Sequence, residues 1–244
     1  MKKTTLIKEG KAKRLYNTDE ADVVWVEYLD QATTLNGKRR DQVIGKGALN
    51  NQIDCILFEM LGAKGIHTDF IKKISDTEQL NYKVDVIPLE VVVRNAAAGS
   101  FQRKFAVPYL REFDQPIVEF FYKSDELDDP FINTNQAVAL KIISYAEGEI
   151  LENLALQINR LLKEQFWQAH LQLVDFKVEF GKTADGKIML ADEISPDSCR
   201  LVDLTTKTSL DKDVFRKKTG DLVTVYQEVL RRLINSREEA HVQS

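Results

Sequence analysis

The segment LVDFKVEFG (173–181) constrains the fold more than any other part of the chain. Alternate side chains of an extended strand point to opposite faces, which assigns Val174, Phe176, Val178 and Phe180 to one side and Asp175, Lys177 and Glu179 to the other. Asp185-Gly186 then signals a tight turn. Lys187–Ala191 returns as a second strand, followed by Asp192 and Glu193. Such a hairpin is either an amphipathic surface feature or one wall of a polar cleft. Both strands are otherwise apolar enough to be central, and the second runs into the polar loop Ser195-Pro196-Asp197, which favours the cleft. Two carboxylates and a lysine on facing strands suit Mg²⁺ and polyphosphate, with oxygen ligands for a hard cation and an ammonium for the phosphates.

The rest of the chain supplies strands first and helices later. Thr4–Glu9, Ala12–Asn17 and Asp22–Leu29 are expected strands around a turn at Gly10-Lys11, followed by Phe70–Ile74, Gln79–Val84, Leu89–Arg94 and Ile117–Tyr122. Leu49, Ile53, Ile56, Leu57, Met60 and Leu61 keep helical spacing, and Gly62 or Gly65 can close that helix. Ser144 with Glu147 forms a capping box ahead of a stripe at Leu151, Leu154, Ile158, Leu161, Leu162 and Phe166. Leu222, Val225, Val229, Leu233 and Ile234 mark a closing helix. The order predicts a two-lobed α+β protein, with an antiparallel N-terminal sheet over 1–88 and an α/β lobe over 89–244. The soft boundary falls around residues 85–95.

Charge and composition narrow the function. Against 34 Lys and Arg stand 38 Asp and Glu, a net charge of −4, where nucleic-acid binding calls for a basic excess. Apolar runs reach four residues, as at Val23–Val26, while a bilayer span needs roughly 20. The lysines of MKKTTLIKEGKAK precede no apolar h-region. Cys55 and Cys199 form neither a disulfide framework nor a metal spacing, which fits a reducing cytoplasm. His67, His170 and His241 share no pattern. The run Asp125, Glu126, Asp128 and Asp129 reads as a solvated loop.

Two further segments carry candidate chemistry. Glu9-Gly10-Lys11-Ala12-Lys13-Arg14 offers a glycine and three cations between strands, suited to phosphate, although an exposed basic hairpin turn is the commoner reading of such a segment taken alone. No GxxxxGK[ST] loop occurs. IPLEVVVRNAAAGS ends a strand at Arg94 and runs to Ser100, either as an anion site or as an alanine-packed crossover with Arg94 in a salt bridge. Asp197 and Arg200 in SPDSCR pose the same choice, and Cys199 is expected to pack as a small apolar side chain.

With EGKAKRLY, IPLEVVVRNAAAGS, and LVDFKVEFG followed by DEISPDSCRL in hand, the chain resembles the SAICAR synthetase (phosphoribosylaminoimidazole-succinocarboxamide synthase) family, from about residue 4 to the closing helix. Ser198-Cys199 stands where glycine-serine is expected before Arg200, a departure confined to the loop's shape. The resemblance implies a two-lobed fold akin to ATP-grasp and kinase-like enzymes. It also implies a cytoplasmic, ATP- and Mg²⁺-dependent ligase of purine biosynthesis, joining carboxyaminoimidazole ribotide to L-aspartate through an acyl phosphate. By the same resemblance Gly10, Lys11, Ala12, Lys13 and Lys177 would hold ATP phosphates, and Val84 and Val86 the adenine. Glu179 and Asp192 would hold Mg²⁺. Arg94, Ser100 and Arg200 would hold the ribotide, with Asp175 and Asp197 beside the reacting groups. Lys212 and Arg216 are left open between aspartate and phosphate, and a homo-oligomer is expected. The rival readings are a small-molecule kinase with a hydroxyl acceptor and a nucleotide sensor without turnover. Paired Glu179 and Asp192 beside Lys177 speak against a sensor, which has less need of γ-phosphate apparatus.

Overall fold

The computed structural model describes residues 1–34 and 39–242. Elements follow in the order β1 (Lys3–Glu9), β2 (Lys13–Thr18), β3 (Val23–Tyr28), β4 (Gln31–Thr34), β5 (Arg39–Gln42), α1 (Lys46–Ala63), β6 (Phe70–Lys73), β7 (Glu78–Tyr82) and β8 (Asp85–Ala96). They continue as α2 (Gly99–Phe105), β9 (Glu112–Tyr122), β10 (Phe131–Ile132), α3 (Thr134–Ala139), α4 (Tyr145–Gln168), β11 (Leu171–Lys182), β12 (Ile188–Ala191), β13 (Cys199–Asp203), α5 (Asp213–Lys217) and α6 (Leu222–Val242). One antiparallel sheet runs β1-β2-β3-β7-β6, and a second runs β10-β9-β8-β11-β12 with β13 also paired to β11. The fold is thus α+β and two-lobed. Among the described residues no helix is long and apolar enough to cross a membrane.

The larger core lies under the second sheet. Leu151, Ala155, Ile158, Leu162 and Phe166 recur at helical spacing on α4 and are fully buried. They belong to one cluster with Leu89, Val91, Val93, Phe176, Val178 and Phe180 from the sheet. Each such side chain stabilises by about 1.5–3 kcal/mol when removed from water. Ser144 and Glu147 make the expected capping box at the start of α4. Val174 departs from the expected face. A register irregularity between Leu173 and Asp175, where β11 meets β13, breaks the two-residue alternation. Leu173 therefore joins the main core, while Val174 packs with Ala96, Ala98 and Val202.

The lobes meet at the chain crossing and along β12, among other places. Lys83 and Val84 carry the chain from β7 to β8. Beside them, a Cβ added at Gly181 would lie 2.4 Å from Val84 Cγ2, so glycine lets this crossing rest against β11. Residues 67–69 also pair with Leu190 of β12, through Leu190 N–H to His67 O and Asp69 N–H to Leu190 O. Helix α1 packs against β3 and β6 on one side and α4 and α6 on the other.

Candidate active site

The β8–β11 register assembles the polar wall of the cleft. Asp175 faces Arg94, Lys177 faces Val92, and Glu179 faces Glu90. Residues directly opposite on neighbouring strands share a face, so the wall is polar where its reverse is core. A cavity of about 390 Å³ opens against it and is lined among others by Lys11, Glu90, Asp129, Lys177, Arg200 and Lys212.

At one end, ammonium groups converge on carboxylates. Lys177 Nζ lies 2.6 Å from Glu179 Oε1, 3.3 Å from Glu90 Oε1 and 3.5 Å from Asp192 Oδ2. Lys13 Nζ, from the other lobe, is 2.5 Å from Asp192 Oδ1, and Lys123 donates to Glu179. Burial alone would raise the Asp192 carboxyl, but Lys13, Lys177 and Lys123 outweigh it and hold it well below the usual carboxylate range. Burial likewise opposes the Lys177 ammonium, and Glu179, Asp192 and Glu90 override it, keeping the group charged. Asp192 itself has φ 72°, a left-handed conformation that Asp tolerates better than most side chains. Among the described residues no group of three or more His, Cys, Asp or Glu side chains forms a metal cluster. The Glu179 and Asp192 carboxyl groups, set amid ammonium groups, fit Mg²⁺, a hard cation that takes one or two carboxylate ligands beside substrate phosphates.

At the other end the cations are guanidinium groups. Arg94 donates to Glu119 Oε2 at 2.5 Å, to Asp175 Oδ2 at 3.0 Å and to Ser100 Oγ at 3.2 Å. The salt-bridged alternative for Arg94 is therefore present, and Ala96, Ala97 and Ala98 behind it are fully buried. Arg200 Nη1 donates to both Asp175 oxygens at 3.0 and 2.9 Å, while its Nε reaches Asp213 at 3.4 Å. Gly99 has φ 54°, and a Cβ there would come within 2.6 Å of the Arg200 guanidinium. Glycine meets both without strain or displacement of the guanidinium. Asp213 also holds Arg216 at 2.7 Å; burial opposes its ionisation, but Arg200 and Arg216 bring its pKa down to about 2.

Asp197 occupies a third cluster at the rim. Its carboxylate takes Lys46 Nζ at 2.6 Å, the Tyr226 hydroxyl at 2.5 Å and Lys212 Nζ at 3.4 Å. Lys46 and Lys212 overcome the effect of burial and hold Asp197 well below the usual carboxylate range, so it is an ionised anchor and a weak proton acceptor. Burial brings Lys212 below the ordinary lysine value; Asp197 opposes that fall, and Lys46 and Arg216 add to it.

The remaining sequence candidates fall around these clusters. Gly10 N–H donates to Lys13 O at 2.8 Å and closes the β1–β2 turn, from which Lys11 reaches Asp125 at 2.8 Å. The acidic run is thus only partly a solvated loop, because Asp125 pairs across the cleft and Asp129 lines the cavity. Val84 lies in the interlobe crossing and Val86 at the start of β8. Cys199 is buried, and burial pushes its thiol up. Sequence reasoning missed Glu90, Lys46, Lys123 and Tyr226. Glu90 alternates in phase with Arg94 along one strand and was the one with a readable signal; the others reach the site through tertiary packing.

Comparison with known proteins identifies the family. A family model described as SAICAR synthetase matches residues 6–233. The phosphoribosylaminoimidazole-succinocarboxamide synthase of Pediococcus pentosaceus is 80% identical over 99% of this chain and 100% of its own length. That of Lactiplantibacillus plantarum is 56% identical over 98% of each. A crystal structure of the same enzyme from Ehrlichia chaffeensis superposes with a TM-score of 0.91 at 41% identity, covering 93% of this chain and 98% of that one. A SAICAR synthetase solved in complex with ADP gives 0.90 at 46% identity, covering 93% and 96%.

Proposed function

The chain belongs to the SAICAR synthetase family, and from that premise we propose how its cleft carries out the ATP-dependent ligation that the family performs in purine biosynthesis. The observation that carries the reading is one sheet face with ammonium groups and paired carboxylates at one end and guanidinium groups at the other. The N-terminal lobe, residues 1–88, presents ATP to substrates held by residues 89–244. Backbone at Val84 and Val86 receives adenine, and the Gly10–Lys13 turn receives phosphates. Lys13, Lys123 and Lys177 neutralise the polyphosphate once their carboxylate partners turn to the metal. Glu179 and Asp192 would hold Mg²⁺, which would supply charge neutralisation to the transferring phosphoryl group. Arg200 and Ser100 bind the ribotide, with Arg94 fixing Asp175 and Ser100 beneath it. Asp197 orients Lys212 toward the second substrate, L-aspartate.

The chemistry explains this division. A carboxylate resists an amine because it is anionic and would have to expel oxide. When a ribotide carboxylate oxygen attacks the γ-phosphorus, ADP leaves and an acyl phosphate forms. The aspartate amine then attacks the acyl carbon, loses a proton, and expels phosphate carrying that oxygen. The protein's share is placement and charge neutralisation, as in other phosphoryl transfers. ADP release should require both carboxyaminoimidazole ribotide and L-aspartate in a coupled assay. Steady ADP production with the ribotide alone would favour a kinase instead.

A further inference from the structure

Asp54 lies on α1, outside the cleft, and is fully buried. Its Oδ1 accepts from Ile194 N–H at 2.7 Å, and its Oδ2 accepts from the Tyr28 hydroxyl at 2.8 Å and Gln79 Nε2 at 3.1 Å. These three donors come from three places: the loop after β12, strand β3 and strand β7. One carboxylate therefore ties the first sheet to the second lobe, two residues beyond Asp192. Tyr28 pairs in register with Lys13, whose Nζ sits 5.4 Å from the Tyr28 ring centre and 2.5 Å from Asp192 Oδ1. The connections close into a ring through Asp54, Ile194, Asp192, Lys13 and Tyr28.

We propose that Asp54 is a positioning residue for the metal–phosphate end of the cleft, holding the loop at Ile194 so that Asp192 keeps its left-handed backbone and aims its carboxylate at the site. The physical need is plain. A left-handed non-glycine residue persists only when its surroundings over-determine it. Within the loop, Glu193 accepts from Ser195 Oγ and Ser198 Oγ, both at 3.3 Å and both from the loop itself, whereas the Ile194 N–H is anchored outside the loop, at 2.7 Å, on the buried Asp54 carboxyl group.

The inference rests on the assignment of Asp192 to Mg²⁺, so the test separates the two. Calorimetric titration with ADP, with and without Mg²⁺, gives the factor by which the metal tightens nucleotide binding. Asp54→Asn, which replaces one acceptor oxygen by an amide donor facing donors, should cut that factor about tenfold, the size typical of groups that orient a metal ligand. Metal-free ADP affinity and the ribotide KM should stay within about twofold. Tyr28→Phe removes one donor but keeps the ring, should shift the factor a few-fold the same way, and carries the test if Asp54→Asn fails to fold. A variant that melts earlier with its metal factor unchanged has lost only packing, and overturns the proposal. So does an equal loss in metal-free ADP affinity and ribotide binding. Asp192→Asn run in parallel identifies the failing step. If it keeps the full metal factor, the Asp192 assignment is wrong and this inference falls with it. If it loses the factor while Asp54→Asn keeps it, only the positioning role is wrong.

Discussion

Asp192→Asn is expected to lower kcat/KM for ATP at limiting Mg²⁺ by at least about 10²–10³, the scale of removing one preorganised electrostatic contact. Asparagine tolerates the left-handed backbone that Asp192 adopts at φ 72°, so the substitution removes charge without adding strain. Glu179→Gln should cost as much by a different route. Glu179 is 2% exposed and lies between Lys123 and Lys177. The neutral amide leaves both ammonium groups short of a counter-charge as well as the metal short of a ligand. Asp192 likewise faces Lys13 and Lys177, so the melting temperature of both variants should fall, that of Glu179→Gln more because its side chain is 3% exposed against 23% for Asp192. Excess Mg²⁺ should recover part of the lost rate in either variant. Near-normal turnover at limiting Mg²⁺ removes that residue from the ligand set.

Arg94→Ala and Arg200→Ala should separate, although the sequence suggests the same role for both. The Arg94 side chain is 4% exposed and spans Glu119 and Asp175, while that of Arg200 is 23% exposed. Removing Arg94 takes the guanidinium partner from the buried Glu119 carboxylate and leaves Asp175 to Arg200 alone, at a cost of about 3–5 kcal/mol. For a chain of this length that is a fall of about 6–20 °C in Tm. Removing Arg200 leaves Asp175 still paired with Arg94, so the fold should hold. The ribotide KM should then rise about 10- to 150-fold, the equivalent of a charge-assisted bond of about 1.5–3 kcal/mol. The KM for ATP should move little. Equal losses for both substrates in Arg200→Ala would give it a structural role.

The sequence displays local periodicity well and convergence poorly. Alternation along 173–181 marks the cleft face because each strand residue answers to one sheet, and it fails only at Val174, where the bulge shifts the pleat. The capping box at Ser144 was legible because both partners lie within one turn. The short elements β4, β5, β10, β13, α2, α3 and α5 carry too few residues for a periodic signal. Lys123 sits at the head of an acidic run that looks like solvated loop, and its pairing with Glu179 spans 56 positions. Lys46 meets Asp197 across 151 positions, and Asp54 meets Ile194 across 140. No spacing rule reaches that far. Arg94 shows the opposite limit: residue type suggests an anion site, and only burial reveals how much of the guanidinium the protein itself consumes.

The acyl phosphate joins the two ends of the cleft in one reaction, and an isotope reports on it directly. Carboxyaminoimidazole ribotide labelled with ¹⁸O in its carboxylate, turned over with ATP and L-aspartate, should yield inorganic phosphate carrying one ¹⁸O per amide formed. That oxygen can reach phosphate only by attacking the γ-phosphorus and then leaving with it. Unlabelled phosphate accompanying amide formation would contradict the mechanism, even with every substrate correctly identified.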